Sequence, residues 1–167
     1  MNLVGPIEIQ KHYKTDKFDC GKEPLNSWLQ KFAWQSQQAR SARTYVIVDG
    51  DNVIGYHSLA SSAIMPADAS DRAKKGLPNS PIPVILLARM AVTKPHLGSG
   101  LKLGAVLLRD AFLKTLNASK GIGVRALLVH AKDDEAASFY RYFGFETSPT
   151  HPLHLMILVK DLEHNAG

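Results

Sequence analysis

Cysteine is almost missing from this chain. Among 167 residues Cys20 is the only one, so the protein can form no intramolecular disulfide and no thiolate metal cluster of its own. Long hydrophobic runs are missing too. No apolar stretch approaches the roughly 20 residues that span a bilayer, and residues 1–10 lack the charged-then-apolar order of a signal peptide. The expectation is a soluble cytoplasmic protein with no membrane partner and no metal, held together by packing. Internal repeats and low-complexity tracts are also lacking, and 45% hydrophobic residues suffice to fill one core, so residues 1–167 are expected to form a single domain. Acidic charge is scarce over the first two-thirds. Residues 11–43 carry seven Lys/Arg against three Asp/Glu and residues 94–125 six against one, whereas residues 132–163 carry three against six. Such a distribution suits a phosphate-rich partner, and equally an ordinary solvated surface with a net charge of +5.

The pattern of apolar residues predicts a mixed α/β domain with one central sheet. Residues 24–39 place Leu25, Trp28, Leu29, Phe32 and Ala33 at helical spacing, and Pro24 suits a first helical turn. Residues 44–48 and 53–58 flank Asp49-Gly50-Asp51-Asn52 and read as a hairpin. Residues 65–83, rich in Pro, Ala, Ser and charge, read as one long loop. An apolar strand follows at 83–92, interrupted by Arg89. Helical periodicity returns over 103–116, a buried-type strand spans 125–131, and Asp133 and Asp134 open a short helix through Tyr140 that Gly144 ends. Residues 153–159 supply a last strand.

Two segments carry chemistry. Ala88-Arg89-Met90-Ala91-Val92 runs into Leu97-Gly98-Ser99-Gly100-Leu101-Lys102-Leu103-Gly104, a strand entering a glycine-dense turn before a helix. That arrangement is either a plain tight turn or a cradle whose backbone N–H groups hold a pyrophosphate beside a positive helix end. It is not a Walker loop, because no Gly-Lys-Ser/Thr closes it, nor does it carry the three spaced glycines of a dinucleotide fingerprint. Further on, Ala136-Ala137-Ser138-Phe139-Tyr140-Arg141-Tyr142-Phe143-Gly144-Phe145 clusters aromatic residues at a helix end, which taken alone is most simply core.

In combination the two segments resemble the GNAT acetyltransferases. The resemblance narrows to the toxins of type II toxin-antitoxin modules through Phe18-Asp19-Cys20-Gly21, Leu25-Asn26, Trp28-Leu29, Ala42-Arg43-Thr44-Tyr45-Val46, Gly55-Tyr56-His57-Ser58-Leu59, Pro83-Val84 and Leu127-Leu128-Val129-His130-Ala131. Phe143-Gly144-Phe145, Ser148-Pro149 and Leu155-Met156 continue it. The likeness implies a single GNAT domain, a mixed central sheet with splayed parallel strands flanked by helices. It implies acetyl-CoA as co-substrate, N-acetylation of the α-amino group of an aminoacyl-tRNA with a block of translation, a ribbon-helix-helix antitoxin as partner, and a homodimer. Tyr140 would protonate the departing thiolate of coenzyme A. The backbone of Met90, Ala91 and Val92 would pair with the pantetheine amides, Gly98, Ser99, Gly100, Lys102 and Gly104 would lie at the pyrophosphate, and Asp133 would bond the pantetheine arm. The turn departs from the family motif, which has Gln or Arg at its first position and Gly or Ala at its sixth, where this chain has Leu97 and Lys102.

Arg40, Arg43, Arg89 and Lys94 are the candidate contacts to tRNA, chosen by charge and position. Arg89 either pairs internally or faces the acceptor end of RNA. His130 is a packed strand histidine or a base or proton relay. Asp133 and Asp134 cap a helix or take part in the chemistry. Cys20 reads as a packing residue, since nothing marks an activating partner for its thiol. Two competing functions remain: acetylation of a protein lysine or small primary amine, and a binding module whose cofactor site has decayed. Growth arrest on expression separates the toxin from the first, and acetyl-CoA binding separates it from the second.

Overall fold

The structure is a computed structural model describing residues 2–98 and 101–165. Its strands are β1 (Leu3–Glu8), β2 (Arg43–Asp49), β3 (Asn52–Ile64), β4 (Ile82–Val92), β5 (Ala126–His130), β6 (Glu146–Thr147) and β7 (His154–Leu158), and its helices are α1 (Glu23–Lys31), α2 (Ala33–Ala39), α3 (Asp71–Lys74), α4 (Leu103–Ser119), α5 (Asp134–Tyr142) and α6 (Val159–Asn165). The seven strands form a mixed sheet in the order β1-β2-β3-β4-β5-β7-β6. The chain divides into two compact units, Met1–Ala60 with Ala88–Ala111 and Ser61–Leu87 with Phe112–Gly167.

In the first unit β1, β2 and β3 run antiparallel, with Val46 opposite Tyr56 and Arg43 opposite Leu59. Alternation along this hairpin feeds two clusters. Val46, Val48, Val53 and Tyr56 pack with Phe18 and with Leu29 of α1, and the Tyr56 hydroxyl donates to the Leu25 carbonyl at 2.7 Å. Ile47 and Ile54 instead pack with Val92, Leu103 and Leu107. Gly55 permits that contact, because a Cβ there would sit 3.3 Å from Leu107 Cδ1. His57 is fully buried, and its Nε2 lies 2.8 Å from Asp110 Oδ2 on α4.

The helix expected over 24–39 is broken in two. Phe32 leaves helical geometry at φ −124° and is half exposed, so it does not share the buried face with Leu29 and Ala33. The pattern alone could not reveal the break, because the Phe32 N–H still bonds the Trp28 carbonyl and Ser36 still bonds Phe32. The hairpin extends further than expected. β3 runs on to Ile64 through Ala and Ser, residues with little strand signal of their own.

The second unit contains the parallel pair, residues 84–87 of β4 against 126–129 of β5, followed by antiparallel β5–β7 and β6–β7. Ile64, Ala73, Ile82, Val84, Leu128 and Met156 pack together there. The connection read as an unstructured loop holds a turn of 3-10 helix at Pro66–Asp68 and the short α3. Ser70 caps α3 by accepting from the Ala73 N–H at 3.2 Å. At the other end of α3 the Arg125 guanidinium donates to the carbonyls of Ala73, Arg72 and Lys75, while Arg72 pairs with Glu146 and, through two hydrogen bonds of 2.8 and 2.9 Å, with Asp161. The Arg125 donors satisfy carbonyls that so short a helix leaves unpaired, and the forked carboxylate pair anchors its Arg72 side chain. Among the described residues no helix is long and apolar enough to cross a membrane.

Candidate active site

The glycine-dense turn and the cationic candidates fall in the first unit, and the tyrosine helix falls in the second. Within the first, β4 continues beyond its parallel pairing through Met90, Ala91 and Val92, with Ala91 and Val92 buried. A turn of 3-10 helix at Lys94–His96 follows. Gly98 then adopts φ +66°, a conformation that excludes most side chains although nothing lies within 4 Å of where a Cβ would be. Ser99 and Gly100, expected at the pyrophosphate, lie outside the described residues. Lys102 adopts φ 51°, the left-handed region that costs a residue with a side chain about 1–2 kcal/mol. At this position, where the resemblance leads one to expect Gly or Ala, the backbone keeps the geometry of a glycine. Gly104 lies within the first turn of α4 rather than in the turn before it.

The four arginines and lysines proposed for tRNA have distinct settings. Arg40 ends α2 at φ 62°, its N–H donating to the Gln37 and Ser36 carbonyls, and its side chain is exposed. Arg43 begins β2 half-buried. The Arg89 guanidinium carbon lies 4.0 Å from the centre of the Trp28 ring, and Trp28 in turn stacks on Tyr56. Partial burial draws the guanidinium's pKa below its ordinary value, against the opposing influence of Tyr56. Of the two readings of Arg89, an internal partner is therefore present, and it is an aromatic face. The support from Trp28 escaped the sequence reading, in which Trp28 is only one of several apolar residues on a helix. Lys94 is exposed and sits 3.7 Å from the Asp19 carboxylate.

In the second unit Asp133 caps α5 by accepting from the Ala136 N–H at 2.8 Å, as its place before Ala136 and Ala137 led one to expect. Tyr140 is 6% exposed, fixed edge-on by Phe139 and Phe145 at 5.4 and 5.3 Å. Burial pushes its phenol well above the ordinary value. A phenol is already protonated through the neutral range, the state a general acid needs, and burial moves it further from ionisation. His130 is not packed in the core. It is exposed at the end of β5 and stacks on His154, directly across from it on β7, at 3.9 Å between ring centroids. His151 lies 4.5 Å from the His154 ring and 3.9 Å from the Asp68 carboxylate. This imidazole stack was invisible in the sequence, because only the β5–β7 register brings its members together. Cys20 is buried, its Sγ 3.5 Å from the Lys22 carbonyl. Among the described residues no group of three or more His, Cys, Asp or Glu side chains is disposed to hold a metal ion.

No protein-family model matches the sequence. A tRNA-acetylating toxin from Mycobacterium tuberculosis is 44% identical over 157 residues, covering 94% of this chain and 93% of its own. Among solved structures, AtaT complexed with acetyl-methionyl-tRNAfMet superposes with a TM-score of 0.85 at 26% identity, covering 95% of both chains. A Tyr-to-Phe mutant of AtaT bound to acetyl-CoA and the C-terminus of its antitoxin AtaR gives a TM-score of 0.82 at 26% identity, over 99% of this chain and 98% of that one.

Proposed function

Because this chain belongs to the tRNA-acetylating toxins of the GNAT superfamily, we propose that it moves the acetyl group of acetyl-CoA onto the α-amino group of an aminoacyl-tRNA and thereby arrests translation. The observation that carries this reading is the 44% identity to a tRNA-acetylating toxin along 94% of the chain. Aminoacyl-tRNA places the enzyme in the cytoplasm. The likeness to AtaT bound to part of its antitoxin supports a cognate antitoxin with a ribbon-helix-helix DNA-binding half, and the enzyme works as a homodimer of single-domain chains.

The residues divide the chemistry as follows. The α-amino group of an aminoacyl ester is less basic than a lysine ammonium, so it reaches the neutral, nucleophilic form without a strong dedicated base. It attacks the thioester carbonyl carbon, and the tetrahedral intermediate collapses as the C–S bond breaks. Tyr140 gives its phenolic proton to the leaving sulfur, and the proton lost by the nitrogen restores the phenol through solvent. A buried phenol is a weaker acid than one in water, and desolvation of the forming thiolate, which makes it a stronger base, works in the opposite direction. Met90, Ala91 and Val92 offer backbone to the pantetheine amides as an added strand would, and Asp133 bonds the pantetheine arm. Gly98, Ser99, Gly100, Lys102 and Gly104 hold the pyrophosphate, and Arg40, Arg43, Arg89 and Lys94 meet tRNA phosphates.

Purified protein incubated with charged total tRNA and labelled acetyl-CoA tests this. N-acetylated aminoacyl groups on a subset of tRNAs are expected. Equal labelling of free amino acids or small amines would refute the tRNA reading and favour a small-amine acetyltransferase.

A further inference from the structure

The segment Phe18-Asp19-Cys20-Gly21 and the Asn26 that follows it carry much of the family likeness yet take no part in the chemistry above. In the structure they are tied together and tied to the end of β4. The Cys20 N–H donates to Asn26 Oδ1 at 2.9 Å. The Asn26 amide donates at 3.1 Å to Asp19 Oδ1, which also accepts the Gly21 N–H at 2.9 Å. Asn26 is 5% exposed, so its orientation is set by these partners.

From this knot the bonds run to residues 93 and 94. The Asp19 N–H donates to Thr93 Oγ1 at 3.1 Å, the Thr93 hydroxyl donates to the Asp19 carbonyl at 3.2 Å, and the Lys94 N–H reaches the same carbonyl at 2.8 Å. Thr93 is itself buried, and its N–H bonds the Ile54 carbonyl at 2.9 Å. A Cβ on Gly21 would lie 3.1 Å from Lys94 Cε, so the lysine stem passes closely over the glycine toward the Asp19 carboxylate. Every one of these links converges on the two residues that follow β4 and lead through the 3-10 turn toward the glycine-dense segment.

We propose that Asp19, Asn26 and Thr93 are positioning residues. They fix the direction in which the chain leaves β4, and so the path that brings Gly98 to the pyrophosphate of acetyl-CoA. The segment around Asp19 thus serves cofactor affinity rather than acceptor choice. This rests on reading the turn as the pyrophosphate cradle.

The test compares acetyl-CoA with acetyl-pantetheine, which has the same thioester and no pyrophosphate, on aminoacyl-tRNA for wild type, Thr93→Val, Thr93→Ser and Asp19→Ala. Wild type should prefer acetyl-CoA. Thr93→Val and Asp19→Ala should lower kcat/KM for acetyl-CoA about tenfold, the worth of about one hydrogen bond. The loss should come through KM, with kinetics on acetyl-pantetheine unchanged, and Thr93→Ser should restore the preference. Asp19 is exposed, so its variant folds even if Thr93→Val does not. Equal losses on both donors, or an undiminished preference in the folded variants, would overturn the positioning role alone. A wild type indifferent to the pyrophosphate would overturn the reading of the turn and this proposal with it.

Discussion

Tyr140 combines a buried, edge-packed ring with a protonated phenol that burial holds still further from ionisation. Tyr140→Phe keeps the packing and deletes the proton. Acetyl transfer should slow by a factor of at least ~10², with acetyl-CoA affinity by calorimetry unchanged. Turnover at the wild-type rate would remove Tyr140 from the mechanism. The stacked imidazoles make a second prediction at the same scale. His130 is held below its ordinary pKa by partial burial and by His151, and His154 by burial, then by His130 and His151, with Asp68 opposing. The folded chain therefore binds these protons less readily than the unfolded chain. The stability they contribute is complete above about pH 6.5 and is lost as pH falls from there through the folded-state values. Denaturant midpoints should fall between pH 7 and pH 5, and His154→Gln should flatten that slope. Asp19 and Asp161, held low by Gly21 and Arg72 respectively, lose their contributions only in a more acidic window, below the ordinary carboxylate range.

At the scale of elements, α5 carries Tyr140 and depends on one side chain at its start. Asp133→Ala should cost about 1 kcal/mol of stability and Asp133→Ser should recover most of it. If Asp133 also bonds pantetheine, the serine variant will regain stability without regaining acetyl-CoA affinity, a split that separates the two roles by denaturation and kinetics. The tyrosine helix was legible because acidic residues, an aromatic run and Gly144 bound it on both sides. Elements without such punctuation were not. β1 contains Gly5 and Pro6 in a six-residue strand, β6 has two residues, and α6 follows β7 with no intervening residue. The short α3 depends on contacts with sequence-distant partners, as does the aromatic support of Arg89. The candidate site was readable as residue types in order. What holds each residue in place was not.

For the whole molecule the decisive property is charge. If the excess of Lys and Arg over residues 11–43 and around Arg89 meets tRNA, binding should weaken steeply and log-linearly with salt, each released phosphate counterion adding to the slope. Acetyl-CoA binding, made of few contacts and partly of backbone donors, should weaken far less. Removing the charge of Arg40 or Arg43 should flatten the tRNA slope and spare the cofactor, and a slope that does not change would show those side chains to be idle. The single thiol has a different use. Cys20 is 8% exposed and its N–H is bonded to Asn26, so a thiol reagent can reach it only when that segment opens. With no second cysteine in the chain to compete for label, the labelling rate of the native protein counts the openings of one local structure. Slower labelling in the presence of acetyl-CoA would record, without any engineered residue, that cofactor binding steadies the segment around Cys20.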